Sequence, residues 1–319
     1  MLGFGAVSSE RRRALFTVLV QLALTWSCYQ ALRGLGWQGW WYNIDDVLNF
    51  GVDPPFRHRI LFVLLARGCQ FLVPRLGAMY AFQLSQLVAI FLALFVIRKW
   101  SELFVDTRLA FVGQLFAVVA LVPTFHYFTF YDVGVVLFGA ACLLAAVQGR
   151  MWLCLFFFFV GTFNHEGTLL LALDVAALMW ATGSTPARSS VWLVAMLFAY
   201  AAARAILLYV LPEDALFLYV GPLENLRILL KDPSELFKLA LTVGLWYIIA
   251  ALGWALAPRW LRVLTLVHVA QLLLVSALFG RMIEARLYDS VVPIYVGLAL
   301  CVVATWQLQP SMDGAESPE

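Results

Sequence analysis

The chain has 319 residues, of which 63% are hydrophobic and only 13% are charged, and its mean hydropathy is +0.88. A soluble domain of this length does not reach such a composition, so the sequence predicts an integral membrane protein. The formal charge of +2 is too small to indicate a nucleic-acid partner. The five cysteines stand singly, without the spacing of a metal site or of a disulfide framework.

Long apolar runs without two-residue alternation predict transmembrane helices and not barrel strands. We interpret the first run as a retained helix behind a cytoplasmic Arg11–Arg13 anchor, because it is long for a signal peptide and lacks a small-x-small cleavage site. The sequence therefore predicts an all-α, polytopic helix bundle, with one transmembrane domain over residues 1–307 and a disordered cytoplasmic tail over 308–319. About ten spans are expected, near residues 14–33, 78–97, 109–125, 133–148, 151–166, 168–181, 191–211, 238–256, 263–280 and 291–307.

Residues 60–76 form an ambiguous apolar stretch, which is interrupted by Arg67, Gly68 and Pro74. If this stretch lies at the outer surface as an amphipathic or re-entrant helix, most arginine-bearing loops fall in the cytoplasm with the N-terminus. If it spans the membrane, every later loop changes side. We predict the first topology, with a first outer loop over 34–77 and a second long outer loop over 212–237.

The first outer loop carries two adjacent acids, Asp45 and Asp46, and a basic cluster of Arg57, His58 and Arg59. A carboxylate can accept the proton of an attacking hydroxyl, while arginines hold a phosphate by charge-assisted hydrogen bonds. The alternative is structural: an aspartate caps a short helix over 47–50, and the arginines mark the membrane boundary. The sequence leaves both interpretations open.

Two further groups interrupt apolar stretches. Asn164, His165 and Glu166 end one run, and an unpaired carboxylate inside a membrane costs about 2.5–3.5 kcal/mol on insertion scales. We therefore expect Glu166 to face a polar cavity; the alternative is a tight hairpin with Asn164 as a helix cap. The second group contains Arg281, Glu284 and Arg286, which form either a local ion pair or a contact with Glu166 or a phosphate.

Weaker signals come from single polar residues. His126 and Asp132 lie in an aromatic segment that is also typical of a membrane interface. His268 is interpreted as a helix-packing residue, whereas Arg204 and Asp174 lie inside predicted spans and could pair if their helices touch. No metal is predicted, although a divalent cation held by His126, Asp132, His165 and Glu166 remains an alternative without diagnostic spacing. The sequence has no glycine-rich phosphate loop and no nucleophile elbow.

The arrangement resembles the GT-C superfamily of integral membrane glycosyltransferases, which includes the polyprenyl-phosphate-mannose-dependent mannosyltransferases. The resemblance consists of an acid-bearing first outer loop (Ile44–Asp46), a surface helix at 60–76 and a long outer loop at 212–237. It implies sugar transfer from a lipid-linked donor on the non-cytoplasmic face, with Asp45 or Asp46 as the base or as a group that positions the acceptor. The segments PFRHRIL, NHEGTLL and EARLY also resemble a pattern in uncharacterised bacterial polytopic membrane proteins.

Together these observations predict a glycosyltransferase of the bacterial plasma membrane that moves a sugar from a polyprenyl-phosphate donor to a cell-envelope glycan or lipid. The charge argument assigns the donor phosphate to Arg57, His58, Arg59, Arg281 and Arg286, and gives supporting roles to Asn164, His165, Glu166, Glu284, His126 and Asp132. The expected partners are the lipid-linked donor and membrane lipids. Two alternatives remain: a transporter or flippase for an anionic amphiphile, and a non-enzymatic membrane assembly protein.

Overall fold

A computed structural model describes residues 9–36, 44–52, 56–125, 131–212, 248–279 and 285–308, together with single positions between 225 and 246. Within these residues every regular element is helical, which confirms the predicted all-α fold. The helices are α1 Ser9–Ala31, α2 Ile44–Leu48, α3 Leu61–Leu72, α4 Ala78–Ser101, α5 Ala110–Leu121, α6 Asp132–Val147, α7 Met151–Thr162, α8 Leu170–Ala181, α9 Pro186–Val210, α10 Arg259–Phe279 and α11 Val292–Leu308. Short 3-10 helices cover Phe56–His58, Val122–Thr124, Glu166–Leu169 and Ala285–Val291.

Five segments in the described part of the chain are long and apolar enough to cross a membrane. They are Ala14–Gly34, Ala78–Ser101, Pro186–Val210, Arg259–Leu278 and Tyr288–Thr305. Helices α7 and α8 have 12 residues each. At 1.5 Å per residue each helix is about 18 Å long, whereas the hydrocarbon core of a bilayer is about 30 Å thick.

Glycines set the tight turns between α6 and α7 and between α8 and α9. Gly149 (φ +71°) and Gly183 (φ +94°) both have left-handed backbone conformations, which cost glycine no steric penalty. Each turn has the paired hydrogen bonds of a Schellman motif, such as Arg150 N–H to the Ala145 carbonyl (2.8 Å) and Gly149 N–H to the Ala146 carbonyl (3.0 Å). These turns fold α7 back along α6 and α9 back along α8.

Helix α4 lies at the centre of the bundle and packs against α1, α3, α5 and α6. Near its end, the indole N–H of Trp100 donates to the Pro293 carbonyl (2.8 Å), which fixes α11 beside α4. The Trp100 side chain is completely buried, and its ring meets those of Phe104 and Trp260. This aromatic cluster holds α4, α10 and α11 together at one end of the bundle.

Helix α3 stays close to the first two turns of α4 and does not run its length. Near the start of α3, the Phe62 ring lies 6.3 Å from the ring of Phe82, the fifth residue of α4. At its other end, a five-residue turn over 73–77 leads directly into α4. Because both ends of α3 meet the same end of α4, α3 does not carry the chain from one end of the bundle to the other.

Candidate functional site

An ion pair between Arg59 and Glu166 links two loops that are far apart in sequence. The guanidinium binds the carboxylate through two nitrogens, with Nη2 2.5 Å from Oε1 and Nε 3.2 Å from Oε2. The Arg59 side chain is 4% exposed, whereas that of Glu166 is 35% exposed. The Arg59 guanidinium carbon also lies 5.7 Å from the centre of the Tyr131 ring. A two-bond geometry with an aromatic neighbour fixes the plane of the guanidinium.

Hydrogen bonds to neighbouring helices hold the loop that carries Glu166. The amide of Asn164 donates to the Tyr131 carbonyl (3.0 Å), and the Leu61 N–H donates to the Phe163 carbonyl (3.2 Å). Asn164 is buried against Gly134 on α6, where a Cβ would overlap the Asn164 amide. The loop therefore fits the start of α6 only because residue 134 has no side chain.

The ion pair keeps Glu166 ionised. Burial of the carboxyl raises its pKa, but the Arg59 guanidinium and His165 lower it by more, so the pKa of Glu166 lies well below the ordinary value of 4.5. His165 itself accepts a hydrogen bond from the Gly167 N–H at Nδ1 (2.9 Å), and its Nε2 lies 3.8 Å from the Glu166 carboxylate. The site thus holds a fixed negative charge beside a fixed positive one.

A second basic group surrounds His58, one residue before Arg59. His58 is buried; its Nε2 donates to the Leu211 carbonyl (2.9 Å), which leaves Nδ1 to accept from the Arg204 guanidinium (3.5 Å). Arg57 donates from Nε to the Val52 carbonyl (3.2 Å) and from Nη1 to the Pro212 carbonyl (3.5 Å). Three basic side chains from the first loop and from α9 therefore lie at the same end of the bundle as the Arg59–Glu166 pair.

The two acids of the first loop lie on the short helix α2. Asp45 and Asp46 are both exposed and both belong to its first turn, so neither precedes the helix as the cap interpretation requires. A tight turn ends the helix: Gly51 N–H donates to the Asp46 carbonyl (2.7 Å), and Phe50 has a left-handed φ of 58°. Such a conformation is unusual for a bulky residue, so the surrounding structure holds this turn in place.

Arg67 on α3 fixes α2 to the rest of the protein. Its guanidinium donates to the Leu48 carbonyl (3.4 Å) and to the side chain of Asn49. Arg59 and Arg67 are eight residues apart on and beside α3, which corresponds to about 12 Å of helix rise. Arg67, in the middle of α3, therefore holds the acid-bearing helix α2 against α3, whereas Arg59, two residues before α3 begins, binds Glu166.

The structure brings together several of the predicted site residues. Those within the described part of the chain at this end of the bundle are Asp45, Asp46, Arg57, His58, Arg59, Asp132, Asn164, His165 and Glu166. His126, Arg281 and Glu284 lie outside the described residues, as does the side chain of Arg286. Within the described residues, Glu166 pairs with Arg59. The sequence had suggested Arg281 or Arg286 as its partner.

A hydrogen-bond network inside the bundle was not predicted from the sequence. His268 Nδ1 lies 2.6 Å from Asp174 Oδ2, the Gln271 amide donates to Asp174 Oδ1 (2.9 Å), and His268 Nε2 lies 3.0 Å from the Ser290 hydroxyl. Asp174 therefore pairs with His268 on α10 and not with Arg204, as the sequence had allowed, because Arg204 contacts His58. The signal available in the sequence was two ionisable residues within apolar runs.

The order Asp174, His268, Ser290 is the order of hydrogen bonds in a serine-hydrolase triad. In such a triad the histidine must also pass a proton to the leaving group of the substrate. His268 is only 1% exposed and Asp174 is fully buried, so a substrate has no access to either side chain. We interpret this network as a connection between α8, α10 and the segment before α11.

No group of three or more potential metal-ligating side chains occurs among the described residues. Comparison of the chain with protein-family models, with curated proteins and with solved structures found no match. The function is therefore inferred from the residues of the site.

Proposed function

We propose that the protein is a membrane glycosyltransferase that transfers a sugar from a polyprenyl-phosphate donor to a hydroxyl of a cell-envelope glycan or lipid. One observation carries the proposal: the exposed carboxylates of Asp45 and Asp46 lie at the same end of the bundle as Arg57, His58 and Arg204. Arg57 connects the two groups, because it donates to Val52 at the end of the acid-bearing segment. A base and a phosphate-binding group are the two functions that this reaction requires.

In the proposed reaction, Asp45 or Asp46 accepts the proton of the acceptor hydroxyl. The hydroxyl oxygen forms a bond to the anomeric carbon of the sugar, and the bond from that carbon to the phosphate oxygen breaks. The polyprenyl phosphate leaves with the bonding electron pair, and Arg57 stabilises its charge, together with Arg281 and Arg286 of the later loop. The Arg59–Glu166 pair, whose members already bind each other, positions the loops on either side.

The proposal includes a topology of about ten spans with a cytoplasmic N-terminus in the bacterial plasma membrane. The position of α3 supports this topology, since both of its ends lie beside the first two turns of α4. If α3 is an outer-surface or re-entrant helix, the loops that carry Arg59 and Glu166 lie on the non-cytoplasmic side. That is the side on which polyprenyl-phosphate sugars serve as donors in the superfamily that the sequence resembles.

The proposal is tested with purified protein in liposomes that contain a panel of polyprenyl-phosphate sugars and envelope glycolipid acceptors. Release of polyprenyl phosphate is measured for wild type, Asp45→Asn and Asp46→Asn. We expect one of the two variants to lose about 10²–10⁴-fold in rate, the range of a general base. Asp106→Asn changes an exposed acid beyond the far end of α4 and serves as the matched control. Unchanged rates in both Asp45 and Asp46 variants would exclude them as the base.

A second candidate is a transporter of an anionic amphiphile, and the buried Asp174–His268 pair favours it. Ionisable residues inside a membrane bundle are typical of proton relays in transporters. A proton-coupled transporter would move a fluorescent polyprenyl-phosphate analogue across liposomes in response to a pH gradient without cleaving its sugar bond. His268→Gln would abolish that movement, while a glycosyltransferase bearing the same change would still release polyprenyl phosphate.

A further inference from the structure

A basic cavity lies at the opposite end of the bundle, between the start of α1, the end of α4 and the start of α5. Its volume is about 550 Å³, and its lining includes Arg12, Arg98 and Arg108. Gln114 also lines the cavity; it is buried and donates to Gln21 and to the Leu94 carbonyl (2.9 Å). None of these residues belongs to the candidate glycosyl-transfer site.

The charges around this cavity are predominantly positive. Arg98 is 15% exposed; it donates to the Thr17 hydroxyl (3.3 Å) and lies 3.8 Å from Glu102. Glu102 is bound more closely by Lys99, at 2.9 Å. Asp106 accepts hydrogen bonds from the backbone N–H groups of Arg108 and Leu109 (2.8 and 3.0 Å). Among the described side chains, the neighbouring acids Glu102 and Asp106 are thus engaged, and three guanidinium groups line the cavity.

One wall of the cavity is apolar and continues onto the outer surface of the bundle. Phe16 and Phe111 line the cavity, and their rings are in edge contact, with centroids 6.3 Å apart. The neighbouring surface of α1 is apolar and exposed; the side chains of Phe16 and Leu19 are 57% and 55% exposed. In a helix that crosses a membrane, such a surface faces lipid chains.

We propose that this cavity binds the phosphate head group of an anionic lipid, with the acyl chains along the exposed surface of α1. Arginines bind phosphate oxygens through paired hydrogen bonds, and basic pockets between transmembrane helices bind anionic head groups. The apolar wall selects a lipid over free phosphate, because only a lipid can cover Phe16 and Leu19 while its phosphate reaches the arginines. The proposal does not depend on the glycosyltransferase assignment.

Native mass spectrometry of the purified full-length protein tests this proposal. The protein is titrated with dioleoyl phosphatidylglycerol and, separately, with dioleoyl phosphatidylcholine. We expect tighter binding of phosphatidylglycerol, weakened about fivefold by Arg108→Gln and by about the same factor again when Arg98→Gln is added. The Arg108 side chain is exposed and lines the cavity, so the single variant changes the cavity surface and not the core of the bundle. Arg188→Gln, an exposed arginine at the start of α9, is the matched control and should bind like wild type.

Three results would overturn the proposal. Equal binding of the two lipids would show that the head-group charge is not recognised. An equal loss in Arg188→Gln and Arg108→Gln would show that any surface arginine contributes in the same way. Displacement of phosphatidylglycerol by an equal concentration of inorganic phosphate would show that the cavity binds phosphate and not a lipid.

Discussion

The Arg59–Glu166 and Asp174–His268 pairs both join distant parts of the chain, but they differ in their access to solvent. Glu166 is 35% exposed beside an almost completely buried Arg59. Asp174 and His268 are 0% and 1% exposed. One pair can thus influence a ligand at the end of the bundle, whereas the other is sealed between helices. The comparison indicates that a ligand can reach the end of the bundle that carries the Arg59–Glu166 pair, but not the Asp174–His268 pair between the helices.

The buried Asp174–His268 pair should contribute more to stability than the Arg59–Glu166 pair. Asp174→Ala removes the acceptor of both His268 and Gln271, and removing one partner of a buried pair costs about 3–5 kcal/mol. We expect this variant to show the largest decrease in melting temperature when thermal unfolding is measured in detergent. Asp174→Asn keeps one acceptor oxygen and should lose less. Identical melting of wild type and Asp174→Ala would show that the network does not hold α8 to α10.

The Arg59–Glu166 pair, of which only Glu166 is accessible to solvent, should contribute less to the free energy of unfolding. Glu166→Gln leaves the buried Arg59 with a weaker, neutral acceptor, and we expect a loss of about 2–3 kcal/mol, below the range for a fully buried pair because solvent reaches Glu166. Thermal unfolding measures this loss, and Glu102→Gln, at the opposite end of the bundle, is the control. A loss larger than that of Asp174→Ala would reverse the comparison.

Acid should weaken the stabilisation from the Arg59–Glu166 pair only in the pH range in which Glu166 becomes protonated. Because the folded pKa of Glu166 is lowered, the stabilisation from its ionised form is complete above the ordinary value of 4.5 and is lost as the pH falls below it toward the folded pKa. The difference in melting temperature between wild type and Glu166→Gln should therefore be constant from pH 7 to about pH 5 and shrink at lower pH. A difference that shrinks between pH 7 and pH 5 would contradict this assignment.

The position of the Glu166 loop should depend on Gly134. A Cβ at this residue overlaps the Asn164 amide, so Gly134→Ala must displace the loop, at a cost of about 1–2 kcal/mol for local overpacking. Under the proposed function, the same variant should reduce sugar transfer. Gly139→Ala, on the same helix with open space around its Cα, is the control. Equal stability of the two variants would show that the loop adapts to the added methyl group.

Much of the fold could be predicted from the sequence because membrane helices are recognised by their apolar runs. The predicted span at 133–148 differs from α6, Asp132–Val147, by a single residue at each end. The outer-surface position of 60–76 was predicted from the charges of the later loops and not from the segment itself, because its composition suits both a span and a surface helix. Its long-range contact between Phe62 and Phe82 could not be predicted. The pairing of the charged residues could not be predicted either, because the partners are far apart in sequence. Arg59 and Glu166 are 107 residues apart, and Asp174 and His268 are 94 apart.

The most direct test of the proposed site concerns the two ends of the bundle. In a Cys69→Ser background, where the four remaining native cysteines are buried, Asp45→Cys and Asp106→Cys are treated in intact cells with a membrane-impermeant maleimide. Both positions are exposed. We predict that position 45 reacts in intact cells and that position 106 reacts only after permeabilisation. Reaction of both positions from the same side, or of position 106 alone in intact cells, would contradict a site on the non-cytoplasmic face.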